Sequence, residues 1–128
     1  MIQETSAQDL ARKQIRAAFA ADWPTLERLY ADDVQYRDPD TELSSRTAVI
    51  DRLRGQVDAF AGFDCTIRHT YSDSADGAVV EWNMTGALAG KPVSLDIVTA
   101  YDFLGGRIVS ERNYWDNAVF APAPAADA

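Results

Sequence analysis

Apolar positions recur at helical spacing in the first half of the chain and alternate in the second. Leu10, Ala11, Ile15, Ala18 and Phe19 fall on one helical face, and Thr5 or Ser6 can cap it. Asp22 with Pro24 restarts the chain into a shorter helix carrying Leu26, Leu29 and Tyr30. The stretch "VQYRD" at 34–38 reads as a short strand, which Asp38-Pro39 ends because proline keeps the preceding residue extended. Ser44 or Ser45 can cap a third helix, in which Ile50, Leu53, Val57 and Phe60 form one stripe that stops before Gly62. From Phe63 the period becomes two and predicts strands over 63–72, 78–88, 92–104 and 107–116, with turns at Asp76-Gly77, Ala89-Gly90 and Gly105-Gly106.

Helices segregated from a meander of antiparallel strands predict an α+β fold in which one curved sheet wraps its concave face around the helices. If Ala89-Gly90 is a two-residue turn, Leu88 opposes Lys91, and Gly86/Val93, Met84/Leu95, Trp82/Ile97 and Val80/Thr99 share one largely apolar side. The other side carries Glu81, Asn83, Thr85, Ser94, Asp96 and Asp102 and faces water or a partner subunit. The last hairpin is open at this level. A two-residue Gly105-Gly106 turn puts Arg112 and Tyr114 on the concave face; a three-residue loop including Leu104 puts Glu111, Asn113 and Trp115 there.

Composition narrows the class. The 128 residues suit one domain over 1–120, followed by an Ala/Pro-rich tail, "APAPAADA", at 121–128 that is expected to be disordered. A net charge of −8 repels phosphate backbones and anionic membranes, so neither nucleic acid nor a membrane is an expected partner. No apolar run approaches the roughly 20 residues of a membrane span, and the N-terminus lacks the pattern of a signal peptide. The single cysteine, Cys65, has no cation beside it to activate a thiolate, and a cytoplasmic location is the expectation.

Few residues suggest chemistry. Asp38 is either a turn aspartate or a general base at a pocket mouth. Two indoles beside it would raise its pKa. Glu111 is a possible second acid, against the plainer reading of an exposed strand glutamate paired with Arg107 or Arg112. His69 is the only histidine, which leaves no His-rich metal site, and Asp32-Asp33 reads as a solvated helix end. Trp82 and Trp115 are either core or the wall of a pocket.

The pieces "LYADDVQYRDPD", "IVTAYDF" and "GGRIVSERNYWDNAVF", in that order, resemble the nuclear transport factor 2-like superfamily and its SnoaL-like polyketide cyclase and ketosteroid isomerase-like branch. The resemblance runs from about residue 10 to 120. It implies a cone-shaped α+β domain with an interior pocket, a homodimer, and Glu111, Asn113 and Trp115 pointing inward.

Particular relatives match in part. The general base of ketosteroid isomerases falls on Asp38, but their oxyanion-hole tyrosine and aspartate fall on Gln14 and Thr99, which are weaker donors. The acid of SnoaL-type cyclases falls on Asn113, which cannot exchange a proton at neutral pH, and its neighbouring histidine falls near Thr99. Limonene epoxide hydrolases keep only Tyr36 of their set, with Trp82 near their arginine's place and Asp38 where they have asparagine. The resemblance therefore implies a small-molecule enzyme without a cofactor or metal, moving a proton on a hydrophobic carbonyl compound as an isomerase, cyclase or dehydratase would. Asp38, Tyr36 and Asn113 are the expected catalytic residues. Gln14, Leu53, Trp82, Met84, Ile97, Thr99, Tyr101, Glu111 and Trp115 are expected to contact the substrate. The competing expectation is a dimeric protein that binds a small hydrophobic ligand without turnover.

Overall fold

A computed structural model describes residues 6–120; the tail expected over 121–128 and the alternative cap Thr5 lie outside the described residues. Helix α1 (Ala7–Phe19) starts where the Ser6 side chain accepts the Asp9 N–H at 3.1 Å. Helix α2 (Trp23–Leu29) starts at Asp22, which accepts from Thr25, and Pro24 occupies its first turn. Each cap satisfies an amide that has no helical partner and contributes about 1 kcal/mol. Tyr30 is not part of α2. It opens strand β1 (Tyr30–Asp38), so Asp32 and Asp33 lie on a strand rather than a helix end, and Asp32 pairs with Arg46 at 2.7 Å.

Past Asp38-Pro39 the chain doubles back into β2 (Thr41–Leu43), a three-residue strand antiparallel to β1 that the sequence pattern did not reveal. Ser45 then caps α3 (Arg46–Ala59) by accepting the Ala48 N–H at 3.2 Å. Its buried side chains are Val49, Ile50 and Leu53. The helix stops at Ala59, so Phe60 belongs to β3 (Phe60–Ser74), where it pairs with Leu88. Strands β4 (Gly77–Leu88), β5 (Lys91–Leu104) and β6 (Arg107–Tyr114) complete a sheet of order β2-β1-β6-β5-β4-β3. The sheet is mixed, because β1 lies parallel to β6 while the other neighbours are antiparallel.

The β4–β5 register is the expected one throughout: Gly86 faces Val93, Met84 faces Leu95, Trp82 faces Ile97 and Val80 faces Thr99. Ala89 and Gly90 both take positive φ (51° and 79°), the backbone of a tight two-residue hairpin turn.

The last hairpin combines the two alternatives. Its turn is the two-residue one: Leu104 faces Arg107, and Gly105 and Gly106 take φ of 59° and 76°. One step later Phe103 faces Ile108 but Asp102 faces Ser110, so Val109 is an extra residue in β6. This β-bulge flips the strand beyond it and turns Glu111 and Asn113 inward, opposite Tyr101 and Thr99. The inward orientation implied by the resemblance is thus reached through a bulge, not a three-residue loop.

Ile15, Leu26, Val34, Val49, Val80 and Ile108 form the centre of a core between the helices and the concave face. A second cluster of Met84, Leu95 and Ile97 continues towards the far ends of β4 and β5, where Trp115 and Phe120 pack on it. Phe120 belongs to a short 3-10 turn, Asn117–Phe120. Asp96 and Asp102 lie exposed on the other face, as expected, and Arg112 reaches Asp102 there at 2.8 Å. Asn83, expected to face water or a partner subunit, is buried on that same face and donates to Ser94, the Leu95 carbonyl and Asp96. Among the described residues no helix is long and apolar enough to cross a membrane.

Candidate active site

The concave face encloses a cavity of about 100 Å³ between the two clusters. Its walls are apolar and strongly aromatic. Phe19 meets Phe63 and Trp82 edge-on, with ring centroids 5.1 and 5.5 Å away, and Phe60 links Phe63 to Phe120. Trp115 adds a sixth aromatic ring to this wall, and Leu53, Met84 and Ile97 add aliphatic surface. Besides the two indoles, the residues with polar side chains among the described lining are Gln14, Tyr36, Gln56, Glu111 and Asn113.

Glu111 is the one ionisable carboxyl among the residues lining the cavity, and it is 2 % exposed. Its Oε1 accepts from the Tyr30 hydroxyl at 2.5 Å and its Oε2 from Asn113 Nδ2 at 2.9 Å. Each donor is itself supported from behind. Gln14 Nε2 donates to the Tyr30 oxygen at 3.0 Å, and the Tyr101 hydroxyl donates to Gln14 Oε1 at 2.5 Å. On the other side Thr99 Oγ1 donates to Asn113 Oδ1 at 2.8 Å, and Trp82 Nε1 donates to Thr99 at 3.0 Å. Two hydrogen-bond relays thus run inward from Tyr101 and Trp82, and both end on the same carboxylate.

Burial holds the Glu111 carboxyl above its ordinary value, and the negative charge of Asp38 adds to this. The bonds from Asn113 and Tyr30 act the other way without overcoming the burial. The Tyr30 and Tyr101 phenols are driven well above their usual range, first by burial and then by the Glu111 charge, so they donate and do not ionise. Tyr36 is raised for the same two reasons, with Asp38 contributing further.

Asp38 has different surroundings from those expected. Its carboxylate does not line the cavity; the side chain is fully buried, beneath a shallow outer groove that Pro39, Asp40 and Thr41 also border. Arg52 from α3 grips it through two bonds, Nε to Oδ2 at 2.7 Å and Nη2 to Oδ1 at 3.1 Å. The Tyr36 hydroxyl donates to Oδ2 at 2.7 Å, and the Asp40 and Thr41 amides donate to Oδ1 at 2.9 and 3.1 Å. The amide contacts are the local turn chemistry of an aspartate leaving a strand. Of the expected site residues, Tyr36 bonds to Asp38, whereas Gln14, Thr99 and Asn113 belong to the relays that end on Glu111.

Of the expected site residues, Gln14, Tyr36, Leu53, Trp82, Met84, Ile97, Glu111, Asn113 and Trp115 line the cavity. Thr99 and Tyr101 stand behind its walls, each 1 % exposed, and connect to it through Asn113 and Trp82 and through Gln14 respectively. Glu111 pairs with neither Arg107 nor Arg112, because the bulge turns it away from both. Sequence reasoning missed Arg52 and the phenylalanines. Arg52 flanks the buried stripe of α3 and meets Asp38 only in three dimensions, whereas Phe19 and Phe60 stood in plain view as core positions. Among the described residues no three His, Cys, Asp or Glu side chains gather as a metal site.

A curved sheet folded over three helices around such a cavity defines the nuclear transport factor 2-like class. Within it, the chain belongs to the SnoaL-like domain family, whose sequence profile matches residues 11–111. No curated protein sequence matches it. Three solved structures show the likeness of fold. A candidate SnoaL-like polyketide cyclase from Shewanella putrefaciens superposes with a TM-score of 0.77 at 21% identity, over 92% of this chain and 84% of the other. An LEH-like epoxide hydrolase from M. tuberculosis gives 0.75 at 18% identity, over 88% and 84%. A hypothetical protein from Catenulispora acidiphila with a ketosteroid isomerase-like fold, in complex with trimethylamine, gives 0.76 at 19% identity, over 88% of each chain.

Proposed function

We propose that this SnoaL-like protein is an enzyme that moves a proton, without a cofactor, on a small hydrophobic molecule held in the cavity, and that Glu111 is the group that takes the proton. Glu111 thereby assumes the role that the sequence suggested for Asp38. The observation that carries the reading is the convergence of two donor relays on one buried carboxylate in an otherwise apolar cavity. A carboxyl raised by burial is a stronger base than an exposed one, and general-base catalysis improves as the pKa approaches the working pH. The relays hold its two oxygens in one orientation, so the base is fixed before the substrate arrives. Asn113 and Tyr36 border the same space, Asn113 as a hydrogen-bonding group and Tyr36 as a wall whose hydroxyl is committed to Asp38. The ion pair of Asp38 with Arg52 fixes α3 against β1 and sets the position of Tyr36.

The alternative, binding without turnover, is favoured by one feature: among the described residues no hydroxyl or indole N–H at the cavity is free for a developing oxyanion. The hydroxyls of Tyr30 and Tyr36 and the Trp82 N–H all have partners already.

Exchange of carbon-bound hydrogen in D₂O separates these readings. A panel of small ring compounds with a C=O or C=N group is followed by NMR with and without the protein. The expected result is exchange next to the double bond that Glu111→Gln slows by about 10²–10⁴-fold, while Asp38→Asn retains most of it. Equal exchange by wild type and Glu111→Gln would remove the base from this position, and loss in Asp38→Asn alone would return it to Asp38.

A further inference from the structure

We propose that the molecule handled in this cavity carries a basic nitrogen, as an ammonium or iminium group, whose positive charge pairs with Glu111. This rests on the reading that the cavity is the substrate site and Glu111 its base, and it names the substrate class.

The charges around the cavity point this way. No Lys, Arg or His stands among its lining residues. The one charged group that acts on Glu111 is Asp38, which repels it, and the guanidinium of Arg52 is engaged by Asp38. Glu111 is therefore a buried carboxylate with hydrogen bonds but no counterion, an arrangement that costs free energy unless a cation supplies the missing charge. Each of its oxygens accepts a single protein bond, so lone pairs remain for a ligand N–H. The surrounding rings strengthen the match. Phe19, Phe60, Phe63, Trp82, Trp115 and Phe120 line the cavity, and aromatic faces attract a desolvated cation. The net charge of −8 favours the approach of a cation over an anion.

The same inventory disfavours an enolate. An enolate oxygen needs strong donors that are free when the charge develops, whereas the uncommitted donors among the described lining residues are neutral amides: that of Gln56 and the second amide hydrogens of Asn113 and Gln14. Proton removal from a carbon next to C=N⁺ has no such need. The C–H bond breaks and its proton goes to Glu111. Its electron pair becomes the C=C bond, and the π pair of C=N⁺ moves to nitrogen. A cation and a carboxylate thus become a neutral enamine and a neutral carboxylic acid, and return of the proton to another carbon completes an isomerisation. Charge is lost in a low-dielectric site, the direction that burial favours. The volume of about 100 Å³ limits the molecule to a few non-hydrogen atoms, since a cavity of about 150 Å³ takes benzene.

Three rings of similar size but different chemistry test the class: pyrrolidinium, cyclopentanol and cyclopentanone. Each is titrated into the full chain at neutral pH while the indole N–H signals of Trp82 and Trp115 are followed by NMR. Pyrrolidinium should bind about tenfold or more tightly than either neutral ring, and Glu111→Gln should abolish that preference. Cyclopentanone or cyclopentanol binding as tightly as pyrrolidinium would overturn the proposal, as would the absence of any response to all three. The comparison among rings uses the wild-type protein, so it stands even if Glu111→Gln does not fold. A failure here leaves the role of Glu111 to the exchange measurement, in which a ketone would then be the active member of the panel.

Discussion

Glu111 costs the fold something when it is charged. Its carboxyl lies above the ordinary value of 4.5 in the folded state, because burial disfavours the anion. Between the unfolded and folded values the native state holds the extra proton, so its contribution to stability falls as pH rises through that window. Glu111→Gln removes this dependence. The variant should lose less stability than wild type between pH 4.5 and neutrality, which thermal melts across that range would reveal; an unchanged pH dependence would count against the raised carboxyl. Asp38→Asn has the opposite expectation. It breaks a hydrogen-bonded ion pair whose carboxylate is buried and whose guanidinium is 29% exposed, at a cost of about 1–3 kcal/mol. Chemical denaturation measures this directly, and a neutral substitution would show that the pair contributes nothing. At this scale the sequence pointed to Asp38, whereas the proposed base is Glu111, and the difference has a physical reason. Asp-Pro is a local signal visible in two letters, while the burial of Glu111 depends on a register several residues away.

Registers were legible where the turn chemistry was simple. Ala89-Gly90 fixed the β4–β5 pairing and with it the inward set from Val80 to Gly86. Two elements were not legible. Strand β2 has three residues, too few to show alternation, and the bulge at Val109 follows from no residue type that marks it. That bulge decides the site. Deleting Val109 removes the extra residue and leaves Ser110, Glu111 and Asn113 opposite Asp102, Tyr101 and Thr99, so the inward set should persist in a regular ladder. The variant should therefore keep a cooperative unfolding transition, as followed by near-UV circular dichroism. Loss of that transition would show that the bulge itself, and not only the inward set, holds the strand.

The outer face of the whole molecule is less polar than a wet sheet requires. Val98 and Tyr114 oppose each other across β5 and β6 and are 37% and 47% exposed, with Ala100 beside them. Arg37 reaches the Tyr114 hydroxyl at 3.1 Å and lies over its ring. We propose that a second copy covers this face. Sedimentation velocity at micromolar concentration should show a dimer, and Val98→Asp should shift it towards monomer; a monomeric wild type would contradict the proposal. The α+β architecture was readable from the change of period at Phe63. The cavity's lone carboxylate was not, since it depends on where two relays of hydrogen bonds from different elements end. The most direct test of that centre is a carboxyl ¹³C NMR titration of Glu111 in the wild-type protein, compared with the pH profile of proton exchange. A midpoint above 4.5 that coincides with the rise in exchange rate is the expected result. A midpoint at or below 4.5, or an exchange profile that ignores it, would contradict Glu111 as the base.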